Sequence, residues 1–258
     1  PDTLEKKGRD IFNQFEEISG NLGYITSDKL LEMLNLYGYN INNDILIQII
    51  KKYSDKEQYD ERNWLTLLEK IQAPSYYYGQ RLRQYAGRGQ IQEVCELIVR
   101  GCEVNTGDGE GLTPLHYACE SNRPEVIIKI SSLVGNQLRV NVQDKYGWTP
   151  LHSACYHGNI DCVNILLKLG ADITITEKVG KTPLHLAVAQ ARNGICDLLL
   201  SHGASVNTPD NHGMTPLHEA AYKNNEKTYQ LLCLNKHCDL TLVDSFGNTP
   251  DKYFQLNS

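Results

Sequence analysis

Between residues 80 and 258 the apolar positions recur in a fixed order. A short stretch such as Leu151-His152-Ser153-Ala154-Cys155 is followed by a break at Asn122, Gly158 or Asn224. A second stretch then places Ile160, Val163, Leu166 and Leu167 at the spacing of one buried helix face. It stops at Gly101, Gly170 or Gly203, residues suited to the left-handed position after a helix. An extended run comes next (Val104-Asn105, Val140-Asn141-Val142, Val206-Asn207), then an acidic residue and a turn glycine. Each unit opens on Thr-Pro, where the threonine hydroxyl caps an orphan amide and proline at the first helical position loses nothing by lacking its own. The pattern predicts pairs of short helices separated by short extended runs.

The openings are nearly identical. Thr-Pro-Leu-His stands at 113–116, 149–152, 182–185 and 215–218, with a truncated Thr249-Pro250, so the steps are 36, 33, 33 and 34 residues. A period of this size means a stacked array, which offers a surface more often than an active site. Gly-x-Thr-Pro-Leu-His-x-Ala, then Val-x-x-Leu-Leu and Gly-Ala-x-x-Asn, resembles the ankyrin repeat over roughly residues 80–258, most completely at 147–177 and 180–210. The resemblance implies an all-α solenoid of helix-turn-helix repeats with short β-hairpin fingers: about five repeats and a truncated C-terminal cap. It also implies that His116, His152, His185 and His218 bridge neighbouring repeats rather than catalyse.

Four departures carry expectations. Gln80-Arg81-Leu82-Arg83 replaces the Thr-Pro-Leu-His of the first unit, giving the polar helix an N-terminal cap needs. Three extra residues within 131–139 should lengthen the loop after the second helix of repeat two, whose Pro124 suits a helix start. His237 stands where a glycine is expected, which predicts a strained helix end. Thr249-Pro250-Asp251-Lys252 starts half a repeat that closes the array.

Residues 1–74 have a different rhythm and read as a separate domain, with 75–258 as the array. Four helix faces are visible there: Ile11/Phe12/Phe15, Leu30/Leu31/Met33/Leu34, Ile45/Ile47/Ile49/Ile50 and Trp64/Leu65/Leu67/Leu68/Ile71. Their order resembles a pair of EF-hands. A calcium loop needs a bidentate Glu at its twelfth position, where this chain has Lys29. The second loop, 54–63, interleaves its acids with Lys56 and Arg62. Both read as degenerate EF-hands kept for helix pairing. Tyr76-Tyr77-Tyr78, just after the linker Ala73-Pro74-Ser75, reads as packing between the domains or as a phosphorylatable, peptide-docking cluster.

Composition removes several function classes. A net charge of −6 with mixed signs offers no basic face for nucleic acid and no polybasic membrane anchor. No apolar run suits membrane insertion and no signal-peptide pattern is present. All eight cysteines fall in the array. Cys119 and Cys155 take the small-residue position of first helices, and Cys95, Cys162 and Cys196 lie in second helices, so they read as reduced core thiols of a cytoplasmic or nuclear protein. No Cys-x-x-Cys pair, phosphate loop or nucleophile motif appears, which argues against a metal, a cofactor or enzymatic activity.

The expected function is a monomeric, non-catalytic scaffold that binds a partner protein or peptide. The resemblance places contacts at finger tips and on the concave face of the first helices. The residues at those positions include Lys145, Tyr146, Trp148, Tyr156 and His157 in repeat three and Lys178 and Lys181 in repeat four. Met214, Tyr222 and Phe246 extend them. Tyr146, Trp148 and Tyr156 should lie near one another, and aromatics dominate binding hot spots. Trp148 either serves recognition or packs on its own finger. Flanking lysines suit a peptide with apolar anchors and some acidic character. Two alternatives stand beside this reading: a calcium-responsive adaptor, and a regulatory segment of a larger enzyme or effector; a start at Pro1 without Met fits either excision from a longer protein or simple Met removal.

Overall fold

The computed structural model describes residues 76–99 and 101–256, with side chains from Gly79 to Phe254. The array forms a unit of its own from Gly79 onward. The EF-hand-like reading of 1–74 and the side chains of Tyr76–Tyr78 lie outside the described residues. Eleven α-helices follow in pairs: α1 Tyr76–Arg88 and α2 Ile91–Val99, α3 Pro114–Glu120 and α4 Pro124–Val134, α5 Pro150–His157 and α6 Ile160–Lys168. After these come α7 Pro183–Ala189 and α8 Asn193–Ser201, α9 Pro216–Tyr222 and α10 Glu226–Cys233, and the single α11 Pro250–Leu256.

Each Thr-Pro-Leu-His start is a capping box in which histidine does the work usually given to glutamate. The Nδ1 atoms of His116, His152, His185 and His218 accept the amides of Thr113, Thr149, Thr182 and Thr215 at 3.1, 3.2, 3.1 and 3.1 Å. Their Nε2 atoms donate to the next repeat, at the carbonyls of Trp148, Lys181, Met214 and Asn248, 3.0–3.2 Å away. All four rings are fully buried. One side chain thus starts its own helix and ties it to its neighbour.

First helices pack on first helices (α3, α5, α7, α9, α11 in succession) and second helices on second helices (α2, α4, α6, α8, α10), giving two layers. Leu115, Leu151, Leu184 and Leu217 fill the seam between layers, each 1% exposed. The small pairs Ala118-Cys119, Ala154-Cys155 and Ala220-Ala221 are wholly buried and let adjacent first helices approach closely. From the second layer Val126, Ile127, Ile130, Val163, Leu166, Ile195 and Leu199 close the core. The cysteines assigned to small-residue and second-helix positions lie there, Cys95 half-buried and Cys162 and Cys196 buried.

The fingers differ from the expected β-hairpins: among the described residues no strand forms. The amides a ladder would use are taken by a side chain. Asp144 Oδ1 accepts from the amides of Tyr146 and Trp148, both at 2.8 Å, and Asp108, Asp210 and Asp244 do the same in their fingers. Neighbouring fingers are joined by single backbone bonds: Lys145 to Glu110, Lys178 to Tyr146, Asn211 to Val179 and Ser245 to His212, 2.7–3.0 Å. These make a continuous ledge of turns.

Other departures resolve physically. Arg83 is not a solvated cap residue; it is 5% exposed and, from the register position of the missing histidine, donates from Nη1 to the carbonyl of Thr106 at 3.1 Å, at the end of its own unit. The extra residues of repeat two do not all enter the loop: α4 has 11 residues against 9 in α6, and a 3-10 turn at Gly135–Gln137 takes up more. His237 is not strained, since its φ is not positive. The 34-residue step of this repeat gives the chain one more residue, and it turns instead through Asn235, whose carbonyl accepts from the amide of Cys238 at 2.9 Å.

The first-helix breaks at Asn122, Gly158 and Asn224 are left-handed, and the same position in repeat four is Ala191, φ 54°. Its amide donates to Val188 and that of Arg192 to Ala187, the two bonds of a Schellman motif. Alanine pays a steric penalty there that asparagine largely avoids. Ala191→Asn is expected to stabilise the array by about 1 kcal/mol. A thermal scan checks it; a fall in Tm would show that the alanine is not strained.

Candidate protein-interaction surface

Finger tips and the ends of the first helices carry the exposed aromatic side chains. Tyr146 is 55% exposed, Tyr156 38%, Tyr222 53% and Phe246 79%. Repetition explains why these stand together. Tyr146, Val179, His212 and Phe246 take the same place on successive tips, while Glu120, Tyr156, Ala189 and Tyr222 take the same place at the ends of α3, α5, α7 and α9.

Trp148 and Tyr156 are brought together, their ring centres 5.2 Å apart and their planes tilted by 58°. His157 meets the other side of Tyr156 edge-on at 5.3 Å, and its Nδ1 lies 2.9 Å from the carbonyl of Ser153. Tyr146 is not part of this stack. It sits on the tip, where the ammonium of Lys145 lies over its ring, 4.9 Å from the centre. Farther along, Tyr222 meets Tyr253 edge-on at 5.8 Å. Met214 is half-buried and lends its carbonyl to His185. Phe246 is held only through its amide, by Asp244.

The lysines of this face are mostly committed. Lys145 forms an ion pair with Glu110 of the preceding finger. Lys181 pairs with Glu219 at 2.7 Å, and Glu219 is 4% exposed. Lys223 lies 5.5 Å over the Tyr222 ring. The ammonium of Lys178 makes no ion pair among the described residues.

One arrangement was not visible as a site in the sequence. The residue nine positions after the finger acid completes that acid's shell: Tyr117 donates its hydroxyl to Asp108 Oδ2 at 2.8 Å, and Tyr253 does the same to Asp244. In the unit opening at Thr215 that place belongs to Glu219. Asp210 Oδ2 is accordingly buried without a hydrogen-bond partner, and Glu219 turns to Lys181 instead. The nine-residue spacing from aspartate to tyrosine, shared by two units, is the signal that would have revealed it.

Both nitrogens of each bridging histidine are occupied by repeat contacts, so none is free to shuttle a proton. Burial holds the His116 imidazole below its ordinary value, and His152 and His185 down to about 4. Burial pushes the Cys155 thiol up and that of Cys196 to about 12, which keeps both protonated and inert. No cluster of metal-ligating side chains occurs among the described residues. No helix among them is long and apolar enough to cross a membrane.

The sequence model of the family described as ankyrin repeats (three copies) matches residues 82–177 and again 169–244. No curated protein matches the chain. Together the two matches cover more than half of the sequence and coincide with the helix pairs, histidine bridges and finger turns described above: the chain belongs to the ankyrin-repeat family.

Proposed function

We propose that the array is a non-catalytic interaction module that docks a partner protein or peptide on its concave face and finger tips, centred on repeats three to five. Ankyrin repeats generally mediate protein–protein interaction, and the finer assignment rests on one observation. The constant residues of each repeat are consumed by capping, bridging and packing, whereas the exposed aromatics stand at the positions that vary from repeat to repeat. Trp148, Tyr156 and His157 form the centre, with Tyr146, Lys145, Lys178, Lys181, Met214, Tyr222 and Phe246 around it. Rigid aromatic side chains bury much area at little entropic cost, which is why they anchor interfaces.

The test is capture of a partner from source lysate by the full chain and by the Trp148→Ala/Tyr156→Ala double variant. Loss of two hot-spot rings is expected to weaken capture by about thirtyfold or more. The Tm should move by only a few degrees, because Tyr156 is largely solvent-facing and Trp148 half-buried. Capture equal to wild type would discard this surface.

A further inference from the structure

The charge on this face differs from what its lysines suggest. Lys145 is neutralised by Glu110 and Lys181 by Glu219, so neither is offered freely to a partner. Glu120 is an acid of this face that is not spent in this way. It ends α3 in the register that Tyr156 occupies on the adjacent α5, and it is half-buried. Asn159 donates to its main-chain carbonyl at 3.2 Å, but its carboxylate has no hydrogen bond or ion pair among the described residues. Burial raises the Glu120 carboxyl above its ordinary value; His157 opposes that shift, and Asp144 and Asp108 add to it. The two aspartates are themselves occupied by finger amides and, for Asp108, by Tyr117. A partly desolvated acid next to other acids gains from an arriving cation and repels an anion.

The helix packed against α3, α5, carries Tyr156 at the equivalent position. Its ring meets Trp148 at a 58° tilt, which is not a stacked sandwich, and remains 38% exposed. A cation over such a ring is attracted by its quadrupole. We propose that Glu120, Trp148 and Tyr156 together receive a lysine or arginine side chain of the docked peptide, the rings taking its aliphatic stem and charge and the Glu120 carboxylate its N–H donors. This deepens the docking reading above and depends on it. It also reverses the sign of the partner: the anchor is basic, where the count of flanking lysines suggested acidic character.

The probes are N-acetyl-arginine amide and N-acetyl-lysine amide, with N-acetyl-norleucine amide and N-acetyl-glutamate amide as controls. Each is titrated into the isotope-labelled full chain. The readout is the indole N–H of Trp148, distinguished from that of Trp64, the only other tryptophan, by Trp148→Phe. The cationic amides are expected to move the Trp148 signal saturably and the neutral and acidic ones not. Glu120→Gln should weaken that binding about tenfold, the worth of one charged hydrogen-bond partner. Tyr156→Phe, which keeps the ring, should leave it nearly intact. An unchanged Kd in Glu120→Gln, an equal response to the glutamate amide, or no response to either cation up to its solubility limit overturns the proposal. A partner lost from Trp148→Ala/Tyr156→Ala but retained by Glu120→Gln would leave the docking surface standing and remove only its basic anchor.

Discussion

Acidification from pH 7 towards pH 4 is expected to strip several kcal/mol from the array and unfold much of it. The cause is the buried bridging histidines. Burial holds His152 and His185 at about 4, against 6.5 for a free imidazole. Each is neutral in the folded state because Nδ1 must accept a threonine amide, and a proton there would set two donors against each other. Above pH 6.5 folded and unfolded chains are alike in charge at these sites, and the full stability is present. Below it the unfolded imidazoles take up protons that the folded ones refuse, so stability falls until the folded groups titrate near 4. Each group then contributes a loss of about 3 kcal/mol, to order of magnitude, and His116 acts in the same direction. Against a typical total of ~5–15 kcal/mol that loss is decisive. Asp108 and Asp244 enter only lower down. Burial alone would raise the Asp108 carboxyl, but the bonds from Tyr117 and finger amides outweigh it and hold it below 3.8. Tm and helix content recorded from pH 7.5 to 4 check the window. A flat Tm down to pH 4.5 would mean that the imidazoles are not held neutral.

Two glycines of repeat four should respond to the same substitution with opposite signs. Gly180 closes a finger with φ 87°, and a Cβ there would meet the backbone nitrogen of Asn211 at 2.7 Å. That nitrogen makes the bond to Val179 that joins the two fingers. Gly180→Ala therefore combines left-handed strain with displacement of a neighbouring backbone, and is expected to cost about 3 kcal/mol. Gly194 sits in the first turn of α8, where a Cβ meets only the flexible Cδ1 of Ile160 at 3.4 Å. Gly194→Ala should stabilise by about 0.5 kcal/mol by reducing the freedom of the unfolded chain. Denaturant midpoints of the two variants decide the matter. A Gly180→Ala chain as stable as wild type would show that adjacent fingers slide freely.

Legibility followed distance along the chain. The Thr-Pro starts, the left-handed ends at Gly101, Gly170 and Gly203, and the buried Val163 and Leu166 of α6 were readable, because each is settled within one or two turns of helix. Ile160, assigned to the same buried face, is instead 44% exposed at the start of that helix. The surface was legible as a set of register positions, since a fixed period assigns every residue to a tip, a helix end or a seam. It was not legible as chemistry. Sequence placed Tyr146 with Trp148 and Tyr156, whereas the ring on the tip engages Lys145 and leaves the other two to each other. Four lysines looked available, and two proved to be paired with acids one repeat away.

By itself, then, the sequence determined the repeat, its phase and its constant scaffold. Capping and helix termination are local, and repetition multiplies a weak local signal into a certain one. The tertiary structure alone decided how unlike neighbours meet across the stack. Arg83 is buried because Thr106 lies in reach, Lys181 finds Glu219 across 38 residues, and Ala191 is held left-handed by the bonds around it. The aspartates, by taking the finger amides, leave turns where strands were expected. Such pairings depend on side-chain length and direction between stacked units. The period fixes which positions face each other, and only the packed array fixes which atoms touch.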